Sequence, residues 1–139
     1  MNSRQLQFIS RASEMAIPNA EILARTSVEI GREFGEACSI GTILKLESFC
    51  ERLHHFLNFI VLAEMALQEH AVDISCALGD VKRRIFDGVE AADAALQSRN
   101  MPLVGVILTR SLGAIFLEYR NLGGHLVTCF QSGSQEDAA

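Results

Sequence analysis

The most regular apolar pattern runs through the middle of the chain. Ile43, Leu46, Cys50, Leu53, Leu57, Ile60, Glu64, Leu67, Ala71 and Ile74 alternate steps of three and four, broken only at Glu64. That spacing predicts one long helical seam. Phe49, Phe56, Phe59, Ala63 and Ala66 widen the apolar face and leave a narrow polar strip of Ser48, Glu51, Arg52, His55, Asn58 and Glu69. A helix this apolar is expected to be hidden against other helices on most of its circumference. A second run follows, in which Ile74, Leu78, Val81, Ile85, Val89, Ala92 and Leu96 are opposed by Lys82, Arg83, Asp87, Glu90 and Asp93. The turn between the two falls either at His70 to Asp73, with Asp73 as cap, or at Gly79 and Asp80.

Two prolines punctuate the rest. Pro18 and Pro102 each stand beside an asparagine, Asn19 and Asn100, whose side chain offers an acceptor to a helix's first amides. They predict helices over 20–37 and 101–122, with a short one over 3–16 ahead of the first. In the 20–37 helix Leu23, Ser27, Ile30, Phe34 and Ala37 form the buried row, and Ser27, Gly31 and Gly35 make a line of small residues that another backbone can approach. Gly123 and Gly124 read as a left-handed stop for the last helix, and 131–139 as a disordered C-terminal tail. No segment carries a convincing period of two. The fold class is therefore all-α: one domain over 1–130, an antiparallel helical bundle of four main helices. The 43–70 face is wider than one small bundle needs, which points to a homodimer sharing it, with the Gly31 and Gly35 face as the other candidate.

Composition narrows the function classes. A chain of 139 residues with 49% apolar side chains is long enough for one real core. Seventeen acidic against twelve basic residues give a net charge of −5, which disfavours nucleic-acid binding through phosphate neutralisation. The four cysteines, Cys38, Cys50, Cys76 and Cys129, form no C-x-x-C pair, and the first residues carry no apolar leader. Reduced thiols and a cytoplasmic location are the expectation. The apolar stretches Phe56–Leu67 and Leu103–Leu117 fall short of the ~20 residues that span a bilayer, so no membrane partner is expected.

The chain contains no phosphate-cradling glycine loop and no nucleophile elbow. Glu47, Cys50, Glu51 and His54 share one side of the middle helix, and Glu51 to His54 spells the Glu-x-x-His of carboxylate-bridged metal bundles. A second such motif is missing, so the pair reads as an ordinary helix-surface contact and neither metal nor cofactor is expected. The Lys82-Arg83-Arg84 triplet reads as a solvated face, and His70 as a cation at a helix end.

Two resemblances add candidate chemistry. Arg52 to Val61, followed by the Ala-rich Glu90 to Leu96, resembles the dimerisation and phosphotransfer hairpin of sensor histidine kinases and related histidine phosphotransferases, over residues 46–98. The resemblance implies His55 as phosphoacceptor and Asn58 as its matching amide. Phe56 holds the place where that family has an acidic residue, and Glu51, one turn back, could stand in. Arg120 and His125 form an Arg-x4-His pair similar to that of HEPN ribonucleases, although Gly123 and Gly124 interrupt it and Val127 replaces the usual Tyr. The reading that needs least is a small helical protein that acts by protein–protein binding, as adaptor, chaperone or regulator. Phosphotransfer through His55, and RNA cleavage by Arg120 and His125, are the alternatives.

Overall fold

The computed structural model describes residues 3–68 and 71–138, with side chains through Gln131 apart from Val72. Every element among the described residues is helical: α1 (Ser3–Glu36), α2 (Ile40–Leu67), α3 (Val72–Gln97), and then α4 (Met101–Val106), a π-helical segment (Ile107–Leu112) and α5 (Gly113–Ala138) in direct succession. The protein is all-α, as its periodicities require.

The helix predicted to begin after Pro18 begins at Ser3 instead, with Pro18 inside it. Pro18 costs α1 one backbone hydrogen bond. Its side chain is exposed, while Ile9, Ser13, Ala16, Ala20, Leu23, Ser27, Ile30 and Phe34 form an unbroken buried row on the other side. Burial along that row outweighs the lost bond.

Ser39 caps α2 through a reciprocal box: Thr42 N–H donates to Ser39 Oγ at 3.3 Å, and Ser39 N–H to Thr42 Oγ1 at 3.1 Å. The buried row of α2 is Thr42, Phe49, Leu53, Phe56, Ile60, Ala63 and Leu67, with Leu46 and Leu57 at its edge. The expected seam is thus rotated, and Ile43 and Cys50 lie outside it, both exposed. Two overlapping rows of three-and-four spacing were open to this helix, and the one carrying Phe49 and Phe56 buries the larger apolar area. Both rings meet Phe116 edge-on at 6.1 Å between centroids, and Phe56 meets Tyr119 at 4.9 Å.

The α2–α3 turn falls at the first of the two expected places. Ala71 is the N-cap of α3, without a side-chain cap bond, and Asp73 sits within the first turn. His70 and Glu69 lie outside the described residues. Gly79 is interior to α3, against the Glu64 carboxylate. Leu78, Val81, Ile85, Ala92 and Ala95 face the core, whereas Val89 is 36% exposed and Gly88 holds the inward place against Leu112. Arg99, at φ 60°, ends α3: its N–H donates to Leu96 O, and that of Asn100 to Ala95 O. This is the Schellman pattern, with arginine where glycine is usual. Asn100 then caps α4, its Oδ1 accepting from Leu103 N–H at 3.2 Å, as the sequence predicts.

Gly123 and Gly124 do not stop the last helix, which runs on through the stretch read as a tail to Ala138. Among the described residues no glycine has positive φ. Gly123 is there for space, since a Cβ on it would lie 2.8 Å from Ile17 Cγ1. The small residues of α1 serve the same end. A Cβ on Gly105 would stand 2.6 Å from Gly31 O, and Ser27 Oγ donates to Leu108 O at 2.5 Å. Leu108 O also receives the Gly113 N–H across the wider π turn.

Side-chain and glycine contacts tie α1 to α2 and to the α4–α5 succession, and α3 to that succession. Gly31 meets Gly105 at one end of α1 while Gln131 bonds Glu14 near the other, and Arg52 bonds Asn19 while Lys45 pairs with Glu29 and Glu33. Arg84 bonds Glu118, and Gly88 abuts Leu112. The helix over Met101–Gln131 is long and apolar enough to cross a membrane by length and composition, with 44% of its most apolar window buried within the protein.

Candidate functional site

The candidate side chains between residues 51 and 58 lie on the outer side of α2. Glu51, His54, His55 and Asn58 are all exposed, because Leu53 and Phe56 turn the opposite face into the core. Glu51 and His55, one turn apart, line a shallow groove of about 490 Å³ between α1 and α2, together with Asn19, Ser48 and Arg52. Arg52 Nη1 donates to Asn19 Oδ1 at 3.1 Å, so the guanidinium is tied to α1. Asn58 is not the partner of His55: its Nδ2 lies 3.3 Å from His54 Nε2. The two imidazoles tilt apart, with centroids 6.0 Å from each other. His55 thus has a carboxylate one turn away, while Asn58 serves its neighbour His54.

The other candidates disperse. Among the described residues no three His, Cys, Asp or Glu side chains gather as a metal site, and Glu47, Cys50, Glu51 and His54 are no exception. Partial desolvation raises the Cys50 thiol pKa above its ordinary value, although the residue as a whole is exposed, and makes it a poorer nucleophile. All four cysteines are free. The basic triplet is taken up by carboxylates: Lys82 with Glu64 at 2.6 Å, Arg83 with Asp80 and Asp87, and Arg84 with Glu118. The Arg84 hydrogen bond holds the Glu118 carboxyl below its usual pKa. Lys82 and Arg84 are interhelical ties, which the sequence could not distinguish from a solvated face.

Arg120 and His125 stand on one continuous helix, so the expected interruption is absent. Five residues still separate them by roughly 140° around the axis. Arg120 Nη1 reaches Glu21 Oε1 at 3.5 Å, and His125 is exposed. Within one chain the two do not converge on a common point.

The feature that periodicity did not single out is apolar. Ile40 is 82% exposed, Leu44 58%, Leu62 51% and Met65 63%, all on the outer side of α2, and Phe8, 68% exposed on α1, stands beside Leu62 and Met65. Phe8, Ile9, Leu62, Met65 and Ala66 line an apolar groove of about 550 Å³. Their signal was present as residues left over once the buried row is assigned. No protein-family model, curated protein or solved structure matches the chain.

Proposed function

We propose that the protein is a cytoplasmic, antiparallel four-helix bundle that works by protein–protein association, as an adaptor, chaperone or regulator, and not by turnover. The observation that carries this reading is the exposed apolar patch of Leu62 and Met65 on α2 with Phe8 beside them on α1. Contiguous apolar surface of this kind on a water-soluble chain marks an interaction site. The bundle arrangement rests on the contacts between neighbouring helices and on the Phe49, Phe56, Phe116 and Tyr119 rings that meet between α2 and α5. The cytoplasmic reading is supported by the free thiols and by the ion pairs that Glu118 and Arg120 make across the surface of the last helix. Gly31 is occupied by Gly105 of the same chain, which favours the α2 side over the small-residue line as the association surface. The test is affinity capture from an extract of the native cells, with the wild type against Leu62→Glu combined with Met65→Glu. A protein retained in stoichiometric amount by the wild type and lost by the variant is expected, self-association included. Absence of both a retained protein and self-association overturns the reading.

Exposure of His55 beside Glu51 favours phosphotransfer as the second reading. It requires an acid-labile phosphate on His55 after incubation with a phosphorylated response-regulator receiver. Lack of label across several receivers eliminates it.

A further inference from the structure

The outer side of α2 carries a second row of three-and-four spacing: Ile40, Leu44, Glu47, Glu51, His54, Asn58, Val61 and Met65. It lies opposite the buried row, and every member is exposed. Its order is complementary to itself when reversed. The two apolar residues at one end face two apolar residues at the other, and two glutamates face a histidine and an asparagine. We propose that the occupant of this face is a second copy of the same chain, with the two α2 helices antiparallel about a twofold axis between Arg52 and Leu53. This rests on the reading of α2 as the association surface and names the partner.

That axis sets Ile40 against Met65 of the second copy, Leu44 against its Val61, Glu47 against its Asn58 and Glu51 against its His54. Each contact occurs twice, as an isologous interface demands. The alternatives are worse by charge. A parallel pairing in register sets Glu47 and Glu51 against their own copies. Sliding the antiparallel pair by one heptad places Glu47 against Met65 and Glu51 against Val61 in one direction, and Glu47 against Glu51 in the other. Burying like charges or an unpaired carboxylate disfavours all three. The apolar ends have seats as well as partners. Ile40, 82% exposed at the start of α2, arrives at the groove that Phe8, Leu62, Met65 and Ala66 line on the second copy. Lys45 and Arg52, the basic residues of α2, are held by Glu29, Glu33 and Asn19 of α1 and stay clear of this row.

Light scattering on the purified chain is expected to give twice the 15.2 kDa monomer mass. Leu44→Glu with Met65→Glu, both at exposed positions, is expected to give the monomer with unchanged far-ultraviolet circular dichroism. Glu51→Lys weakens dimerisation roughly tenfold, and adding His54→Glu restores it, since a lysine then faces a glutamate across the axis. Register is read by cross-linking after the native cysteines are replaced by serine. Leu44→Cys with Val61→Cys forms a disulfide-linked dimer under mild oxidation. Leu44→Cys alone does not, because two copies of position 44 stand about 26 Å apart along the antiparallel pair at ~1.5 Å per residue. A monomeric wild type, a dimer indifferent to the paired glutamates, or cross-linking by Leu44→Cys alone overturns the proposal. If a monomeric chain still captures another protein through this face, the association reading stands and only the second copy is excluded.

Discussion

Replacing Tyr119 with phenylalanine is expected to stabilise the protein. Tyr119 is fully buried, and its hydroxyl has no hydrogen-bond partner among the described residues. A buried, unpaired polar group costs about 1–3 kcal/mol of desolvation that nothing returns. Tyr119→Phe removes the hydroxyl and keeps the ring, including its edge-on contact with Phe56 at 4.9 Å. The expected gain is about 1–2 kcal/mol at neutral pH after allowing for the small void left behind. In a chain of this size that raises the midpoint of thermal unfolding by roughly 3–8 °C. The same burial has a consequence at alkaline pH. Desolvation raises the Tyr119 phenol pKa well above its ordinary value of 10.0. The folded phenol keeps its proton at a pH where the unfolded one has lost it, so its contribution to stability is intact below pH 10 and falls above it, by about 1.4 kcal/mol per pH unit. Cysteines and lysines titrate in both proteins, so the difference between wild type and variant isolates the tyrosine. The chain has one Tyr and no Trp, and tyrosinate absorbance at 295 nm therefore reports this residue alone. Urea unfolding of both proteins between pH 7 and 11 should show the advantage of the variant widening above pH 10, with no tyrosinate in the folded wild type there. A variant less stable by 1 kcal/mol or more at pH 7, or a folded wild type that ionises near pH 10, refutes the reasoning.

Gly105→Ala is expected to cost about 2–4 kcal/mol, since its Cβ would stand 2.6 Å from a backbone oxygen of Gly31 that cannot step aside, and chemical denaturation measures it. Ser27→Ala, which removes the 2.5 Å hydrogen bond to the Leu108 carbonyl, should cost about 1–2 kcal/mol, with faster hydrogen exchange confined to the π segment. Arg99→Gly should gain up to about 1 kcal/mol in the same denaturation assay, because φ 60° is a conformation that glycine adopts without strain.

The sequence by itself determined that the chain is helical and that Asn100 caps the helix behind α3, and it narrowed the turn after α2 to two places, 70–73 or 79–80, without choosing between them. These are local matters: spacing, capping chemistry and the absence of a period of two act within one or two turns. It also determined that Gly31 would be approached by a backbone, but not whose. Tertiary packing decided the rest. Pro18 and the Gly123–Gly124 pair are breakers by local rule, yet both lie inside helices, because a continuous buried row on α1 and the need for space beside Ile17 are worth more than a lost bond or a floppy residue. The rotation of α2 was decided the same way. Two rows of equal spacing compete along it, and only the Phe116 and Tyr119 rings arriving from α5 select the row with Phe49 and Phe56 for the interior. That choice leaves Glu51, His54, His55 and Asn58 in water and turns Ile40, Leu44 and Met65 outward. Which face of a helix is available for function follows from which face the core takes, and the core is assembled from residues far apart in the chain.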